Sequence, residues 1–448
     1  NMMLNCRLFA VGCAMAALAV PVSIRAEGQA ASSTPSLTLA DALSIADAQN
    51  LSLGIAREEK NLADGKVTEA RSAAMPHLDA NAQYARLDDV PSFVMGEGPP
   101  FTMGQKDNYK AALEVSQVVY AGGGVQAALR MAREYRSAID RRILNNRSEI
   151  AFQVHALFNQ VLLAREQAGV AREAIALAEK NREDVQSQFN QGLAKRFDLL
   201  RADELLTKSG ADRIAADNAL LKARLALLRV LDLPMDDPRQ IEGHLHPESA
   251  VETNCDWYLV AENNRPDLAE ARRMVEVQRE AVAVEKSAAR PAIGLFGETK
   301  YANPDRSFAD EWEASWLMGV RAECPVFDGL QIRGKVRQAL ARQKQSELRR
   351  DQIAAQIRLE VAQALADLAT ADELVNARKQ TVAEAEEALR LARRAYQEGV
   401  EQQIDVLSAQ LSFTSSRSSF AEAIYQQVMA RRQLERVTGT LINSASEN

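Results

Sequence analysis

The chain has 448 residues, 54 basic and 61 acidic side chains, a formal net charge of −7 and only 5% aromatic residues. A mixed, mildly acidic charge leaves no electrostatic footprint for nucleic acid. Four cysteines in a chain this long form neither a disulfide framework nor a spaced metal motif, and the heavy use of Ala, Leu, Glu, Gln and Arg leans towards long helices.

Arg7 precedes an apolar run from Leu8 to Ile24, and Ala26 follows it. A basic start, an apolar stretch and a small residue predict a cleaved secretory signal over residues 1–26. Pro21 inside the run argues against a membrane anchor. No second long apolar stretch follows, so any membrane crossing must be made without helices.

From Thr38 a helical pattern runs to about Ala74, interrupted near Asn50 to Ser52 and stopped by Pro76. The period then changes to two. Leu78, Ala80, Ala82 and Tyr84 alternate with polar residues, as do Ala111, Leu113 and Val115 against Lys110, Glu114 and Ser116. This predicts a β-hairpin over about 77–119, with a loop rich in Pro, Gly and Met (88–106) in which no packed element is expected. A two-faced strand of this kind fits a transmembrane β-hairpin, and a soluble two-stranded flap fits a single copy equally well. Residues 125–188 contain no proline and one glycine, Gly169. Val154, Leu157, Val161, Ala164, Ala168, Ala171, Ile175, Ala178, Val185 and Phe189, with Arg182 filling one place, keep three- and four-residue steps, a coiled-coil seam of small residues. The stretch Phe189 to Leu200 then turns the chain, with Gly192 as the helix stop and Asp198 as cap of the return helix, which runs to about 231.

Residues 232–258 read as a linker. His244, His246, Cys255 and Asp256 lie in it, and without fixed geometry they are ordinary surface residues rather than a metal site. The first repeat, 27–231, then recurs as 259–441. Phe189, Gly192, Asp198 and Leu200 reappear as Tyr396, Gly399, Asp405 and Leu407, always at an offset of 207. Tyr120-Ala-Gly122 recurs as Phe327-Asp-Gly329 at the same offset, and Ser72-Ala-Ala-Met-Pro76 as Ser287-Ala-Ala-Arg-Pro291 at an offset of 215. The second hairpin is expected over about 292–325, with Phe296 blurring its alternation, and the second long helix over about 330–395. A disordered tail is expected over 442–448.

No nucleophile–base pair, phosphate loop or paired metal ligands occur in the pattern, and Gly122-Gly-Gly reads as a strand-to-helix hinge. The chain is therefore expected not to be an enzyme and to carry no cofactor. Duplication decides the reading of the hairpins: four amphipathic strands cannot close a barrel, and an open edge is not tolerated in lipid. The fold class expected is mostly α with a membrane β-barrel, its strands pooled among identical copies. A periplasmic coiled-coil tethering protein without a pore is the rival reading.

The secretion signal, the duplicated halves, the junctions Val118-Val-Tyr-Ala-Gly-Gly and Pro325-Val-Phe-Asp-Gly, and the paired glycine–aspartate turns together resemble the TolC-type outer-membrane efflux channels. The resemblance covers about residues 38–441. It implies a homotrimer with a 12-stranded barrel in the outer membrane of a Gram-negative bacterium and a helical tunnel in the periplasm. It also implies docking to a periplasmic adaptor and an inner-membrane pump or ABC exporter, in tripartite efflux or type I secretion. The turns would form the periplasmic entrance, with Phe189, Gly192, Leu200, Tyr396, Gly399 and Leu407 contacting the adaptor. Asp405 falls where the family places an acidic entrance ring. A second acid one turn later, found in some members, is here Ser408, so a doubled ring is not expected. Lys195 or Arg196 is expected to pair with Glu398 or Glu401 across neighbouring hairpins, with Asp198 alongside, and to help hold the entrance closed; solvated surface charge is the alternative reading. Inside the barrel Lys110, Glu114, Arg321 and Glu323 would face the lumen, and Leu113, Val115, Trp316, Met318 and Val320 the lipid.

Overall fold

The computed structural model describes residues 36–93, 101–102, 104–249, 255–305 and 310–441; the expected signal segment and the tail after 441 lie outside them. The chain enters as β1 (Ser36–Leu37) and α1 (Leu39–Gln49). A capping box closes the first turn of α1: Asp41 N–H donates to Thr38 Oγ1 at 3.2 Å, and Thr38 N–H donates to Asp41 Oδ2 at 3.1 Å. Asn50 then breaks the run. Its backbone is extended and its Oδ1 accepts from the Ser52 and Leu53 N–H groups, so α2 (Leu51–Ser72) starts afresh.

After Pro76 come β2 (His77–Arg86), a two-rung ribbon of β3 (Ser92–Phe93) and β4 (Phe101–Thr102), and β5 (Asp107–Ala121). The ribbon corrects the expectation that the 88–106 loop holds no element: two residues of strand on each side are too few to show a period. The strand-to-helix hinge is built by Gly122 and Gly123, both at positive φ (61° and 89°), a conformation open to glycine. Then follow α3 (Gly124–Asn190), α4 (Arg196–Val230), β6 (Gln240–Ile241), α5 (Trp257–Asn264) and α6 (Pro266–Ser287). The chain ends with β7 (Ala292–Asn303), β8 (Glu313–Glu323), α7 (Gln331–Gln397) and α8 (Gln403–Thr438). At 67 residues each, α3 and α7 are rods about 100 Å long.

On the strand side α2 packs on α3, α3 on α6 and α6 on α7; on the far side α4 packs on α3, α3 on α8 and α8 on α7. The small-residue seam is the contact surface, with Val154, Val161, Ala164, Ala168, Ala178 and Val185 buried on α3 and Val361, Ala364, Leu368, Ala371, Val375 and Leu389 buried on α7. One core gathers Leu37, Leu53, Val154, Phe158, Leu227, Leu231 and Ile241, and a second gathers Ala261, Leu268, Ile357, Val361, Leu434 and Val437. The linker belongs to this middle zone: β6 pairs in parallel with β1. Glu248 then reaches Arg432 at 2.6 Å and Arg431 at 3.0 Å on α8.

His155 on α3 is buried in the same zone, and burial, then the nearby Arg432 charge, pushes its pKa down to about 4. A histidine whose folded pKa lies below its unfolded value of about 6.5 supports the fold while neutral. That support is complete above about pH 6.5 and is lost as the pH falls towards 4. Between pH 7 and pH 4 the loss is expected to be about 3 kcal/mol. A His155→Leu variant in detergent should lose this part of the acid sensitivity of its thermal midpoint; an identical pH slope in both proteins would refute the assignment.

The hairpins form one antiparallel sheet in the order β2-β5-β7-β8, and among the described residues the outer edges of β2 and β8 are unpaired. No helix among the described residues is long and apolar enough to cross a membrane.

Candidate functional site

Two regions carry the residues singled out by sequence: the sheet, and the tips of the helical hairpins at the opposite end. In the sheet, register fixes the faces. Leu113 lies opposite Ala80 on one side and Thr299 on the other, and Leu295 lies opposite Val320. One face therefore carries Leu78, Leu113, Val115, Leu295, Trp316, Met318 and Val320. At its loop end Tyr84, Tyr109, Trp312 and Tyr301 form a chain of rings with centroids 4.9 to 5.8 Å apart, the kind of aromatic girdle found at a membrane interface.

Lys110, Glu114, Arg321 and Glu323 stand on the other face with Asp79, Asn81, Gln83 and Glu298. They are knitted together. Lys110 Nζ pairs with Glu298 at 2.7 Å, Asn81 Nδ2 donates to Glu114 Oε1 at 2.7 Å, and Arg321 lies 3.8 Å from Glu323. Phe296, the residue that blurs the alternation, sits on this polar face. Its ring lies under the Arg321 guanidinium (5.2 Å) and over Gly319, where a Cβ would come within 2.8 Å of it.

At the tips, both long helices end alike. Gly192 (φ 78°) donates its N–H to Phe189 O, and Leu193 donates to Gln188 O; Gly399 (φ 77°) donates to Tyr396 O, and Val400 to Ala395 O. These are two Schellman motifs. The aspartates differ in position from the expected N-cap. Lys195 and Gln402 occupy the cap, and the Asp198 and Asp405 carboxylates, three residues on, accept their backbone N–H at 3.0 and 3.3 Å. Each aspartate thus satisfies the backbone donor of its cap residue from inside the helix.

Lys195, Arg196, Glu398, Glu401 and Asp405 are exposed. Within one chain, among the described residues, Lys195 and Arg196 form no ion pair with Glu398 or Glu401. Glu401 instead lies beside Asp405. The hydrogen bond they share, then like-charge repulsion, holds the Glu401 carboxyl above the ordinary glutamate range. The second acid of this tip therefore comes from the residue four before Asp405, not from one turn after it. Phe189, Gly192, Leu200 and Gly399 are exposed at the tips, and Tyr396 is half-buried. Leu407 differs from these in being buried, packed against Ala178 and Leu205.

Sequence reasoning misses the links between hairpins. Tyr396 Oη donates to Gln188 Oε1 at 2.8 Å, joining α7 to α3, and burial, then Asp198 and Asp184, raises the Tyr396 pKa. Arg417 on α8 pairs with Glu173 on α3, a second link between the hairpins, while Arg182 reaches Asp203 on α4 at 2.9 Å within the first one. No periodic signal encodes such pairs, since their partners are far apart in sequence or on the solvent faces of the rods.

The outer membrane efflux protein profile matches residues 42–232 and 257–440. The chain is 22% identical over 343 residues to the alkaline protease secretion protein AprF of Pseudomonas aeruginosa, covering 75% of this chain and 70% of that one. It is 23% identical over 408 residues to the cobalt-zinc-cadmium resistance protein CzcC of Cupriavidus metallidurans, covering 90% of each. The crystal structure of the outer membrane protein VceC from Vibrio cholerae superposes with a TM-score of 0.77 at 18% identity, over 90% of this chain and 96% of that one, a likeness of fold. Matched through most of both repeats, the chain belongs to the outer membrane efflux protein family and is an efflux channel of the outer membrane.

Proposed function

We propose that three copies close into one export duct, with a barrel of twelve strands in the outer membrane and a helical tunnel in the periplasm. One observation carries the reading: a four-stranded sheet, apolar on one face and polar on the other, whose two outer edges have no partner among the described residues. Four strands cannot wrap around a lumen, and unpaired backbone is not tolerated in hydrocarbon, so further strands must come from identical copies. The apolar face then meets lipid, and Lys110, Glu114, Arg321 and Glu323 line water. Driving energy comes from an inner-membrane pump or ABC exporter joined through a periplasmic adaptor at the helical tips. The purified full chain in detergent should have the mass of three copies and conduct in a planar bilayer. A single water-soluble copy without conductance would favour a periplasmic tether and end the proposal.

At the tips, Glu401 and Asp405 of three copies would ring the axis with carboxylates that attract cations. Reversal potentials in a KCl gradient should show cation selectivity that falls several-fold in the Glu401→Gln/Asp405→Asn protein. In the wild type, selectivity should weaken on acidification at a higher pH than an isolated glutamate would give, because Glu401 binds its proton more tightly beside Asp405. Asp405→Asn should move that step to lower pH. Unchanged selectivity in the double variant sinks the ring.

A further inference from the structure

The two repeats of one chain already meet at a joint. Gly122 brings its backbone against the elbow between α6 and β7, where an added Cβ would lie 2.5 Å from Ser287 O and 2.7 Å from Arg290 Cβ. Arg290 Nη1 donates to Gly122 O at 2.9 Å, and β5 runs antiparallel to β7 beside it. Duplication supplies each half of this joint a second time. Gly329, with φ 64°, matches Gly122 at the offset of 207, and Ser72–Pro76 matches the elbow Ser287–Pro291 at the offset of 215.

Within the chain these second halves do not meet. Nothing lies within 4 Å of a Cβ built on Gly329. Val326 and Phe327 are 98% and 84% exposed, against 56% and 43% for their counterparts Val119 and Tyr120, which sit at the occupied joint. The difference marks how much cover this surface lacks.

We propose that the Ser72–Pro76 elbow of a second copy seats on Val326–Leu330, and that β8 pairs with the next copy's β2 in the register β5 keeps with β7. This rests on the trimeric reading above. Leu113 lies opposite Thr299 and Glu114 opposite Glu298. Shifting both sides by their offsets sets Val320 opposite the next copy's Tyr84, and Arg321 opposite its Gln83. Apolar then meets apolar and polar meets polar; a one-residue slip would turn every side chain of one strand to the wrong face. The chemistry of the two joints differs. Met75 replaces Arg290, and Leu330 and Gln331 replace Gly123 and Gly124. The joint inside a chain is fastened by a guanidinium on a carbonyl, whereas the joint between copies is a thioether and leucine on Val326 and Phe327.

Full-length protein carrying Cys255→Ser and Cys324→Ser, with Tyr84→Cys and Val320→Cys, should oxidise in detergent to a covalent trimer. Tyr84→Cys with Trp316→Cys should not. Cross-linking at Trp316 instead of Val320, or at neither, in a particle of three-copy mass overturns the seam and leaves the trimer standing. A particle of one-copy mass removes the trimer, and the seam with it. Met75→Asp puts a carboxylate on the apolar seat and should lower the trimer fraction at least tenfold at fixed concentration, while Met75→Leu should keep it. Equal trimer fractions in both variants would overturn the assigned seat.

Discussion

Gly122→Val is expected to cost on the order of 4 kcal/mol and to leave little folded protein in the membrane fraction. Two effects add. At φ 61° a β-branched side chain strains the backbone, by about 1–3 kcal/mol. Its Cβ also meets the Ser287 carbonyl oxygen at 2.5 Å, and a main-chain atom held between α6 and β7 cannot swing aside, so overpacking adds about 1–3 kcal/mol. The Arg290 bond to Gly122 O would be pushed apart as well. Gly192 is the control, because it has positive φ but nothing within 4 Å of its Cβ position. Gly192→Ala should therefore lose only about 1 kcal/mol. Thermal denaturation in detergent separates the two, and a Gly122→Val midpoint matching that of Gly192→Ala would sink the argument.

Arg265→Met should be nearly as damaging, at about 3 kcal/mol, because it breaks a mostly buried ionic knot from one side only. Arg265 caps α6 in extended backbone and is the second repeat's equivalent of the Asn50 break. Its guanidinium reaches Asp267 Oδ2 and Glu360 Oε2, each at 2.6 Å, and Val437 O at 3.3 Å, so one side chain ties α6, α7 and the end of α8 together. Methionine fills the volume but leaves two carboxylates facing each other without a cation. Adding Glu360→Gln should then restore part of the loss. If the single change costs less than about 1 kcal/mol by denaturation, the knot is held by packing instead.

These two sites mark where sequence reasoning stops. The rods α3 and α7 are legible because proline is missing from them and small apolar residues recur at coiled-coil spacing. The hairpin tips are legible because glycine and aspartate hold the same spacing twice. The membrane sheet is legible only through duplication, since Phe296 spoils the alternation of its own strand and finds its reason in Gly319 and Arg321 across the pairing. What stays hidden depends on distance in the chain. Nothing near Leu37 announces that two residues of strand will pair with Gln240 and Ile241. Arg265 carries no local sign of its bond to Glu360. The place of Asp198 and Asp405 inside the first turn, instead of before it, is a shift of three residues that composition cannot resolve, because aspartate suits both positions. The pairing of Glu401 with Asp405 follows once that start is known, because the extended cap residue Gln402 turns Glu401 back beside the first turn of α8.

The two bare strand edges also govern how the proposed ring comes into being. Among the described residues a lone copy carries one free β2 and one free β8, and so would a side-by-side pair, so the hazard of capturing a stray strand does not fall with the first encounter. Only the third arrival removes it, by sealing two contacts in a single event. Pairs should stay scarce during biogenesis while solitary chains and finished rings dominate.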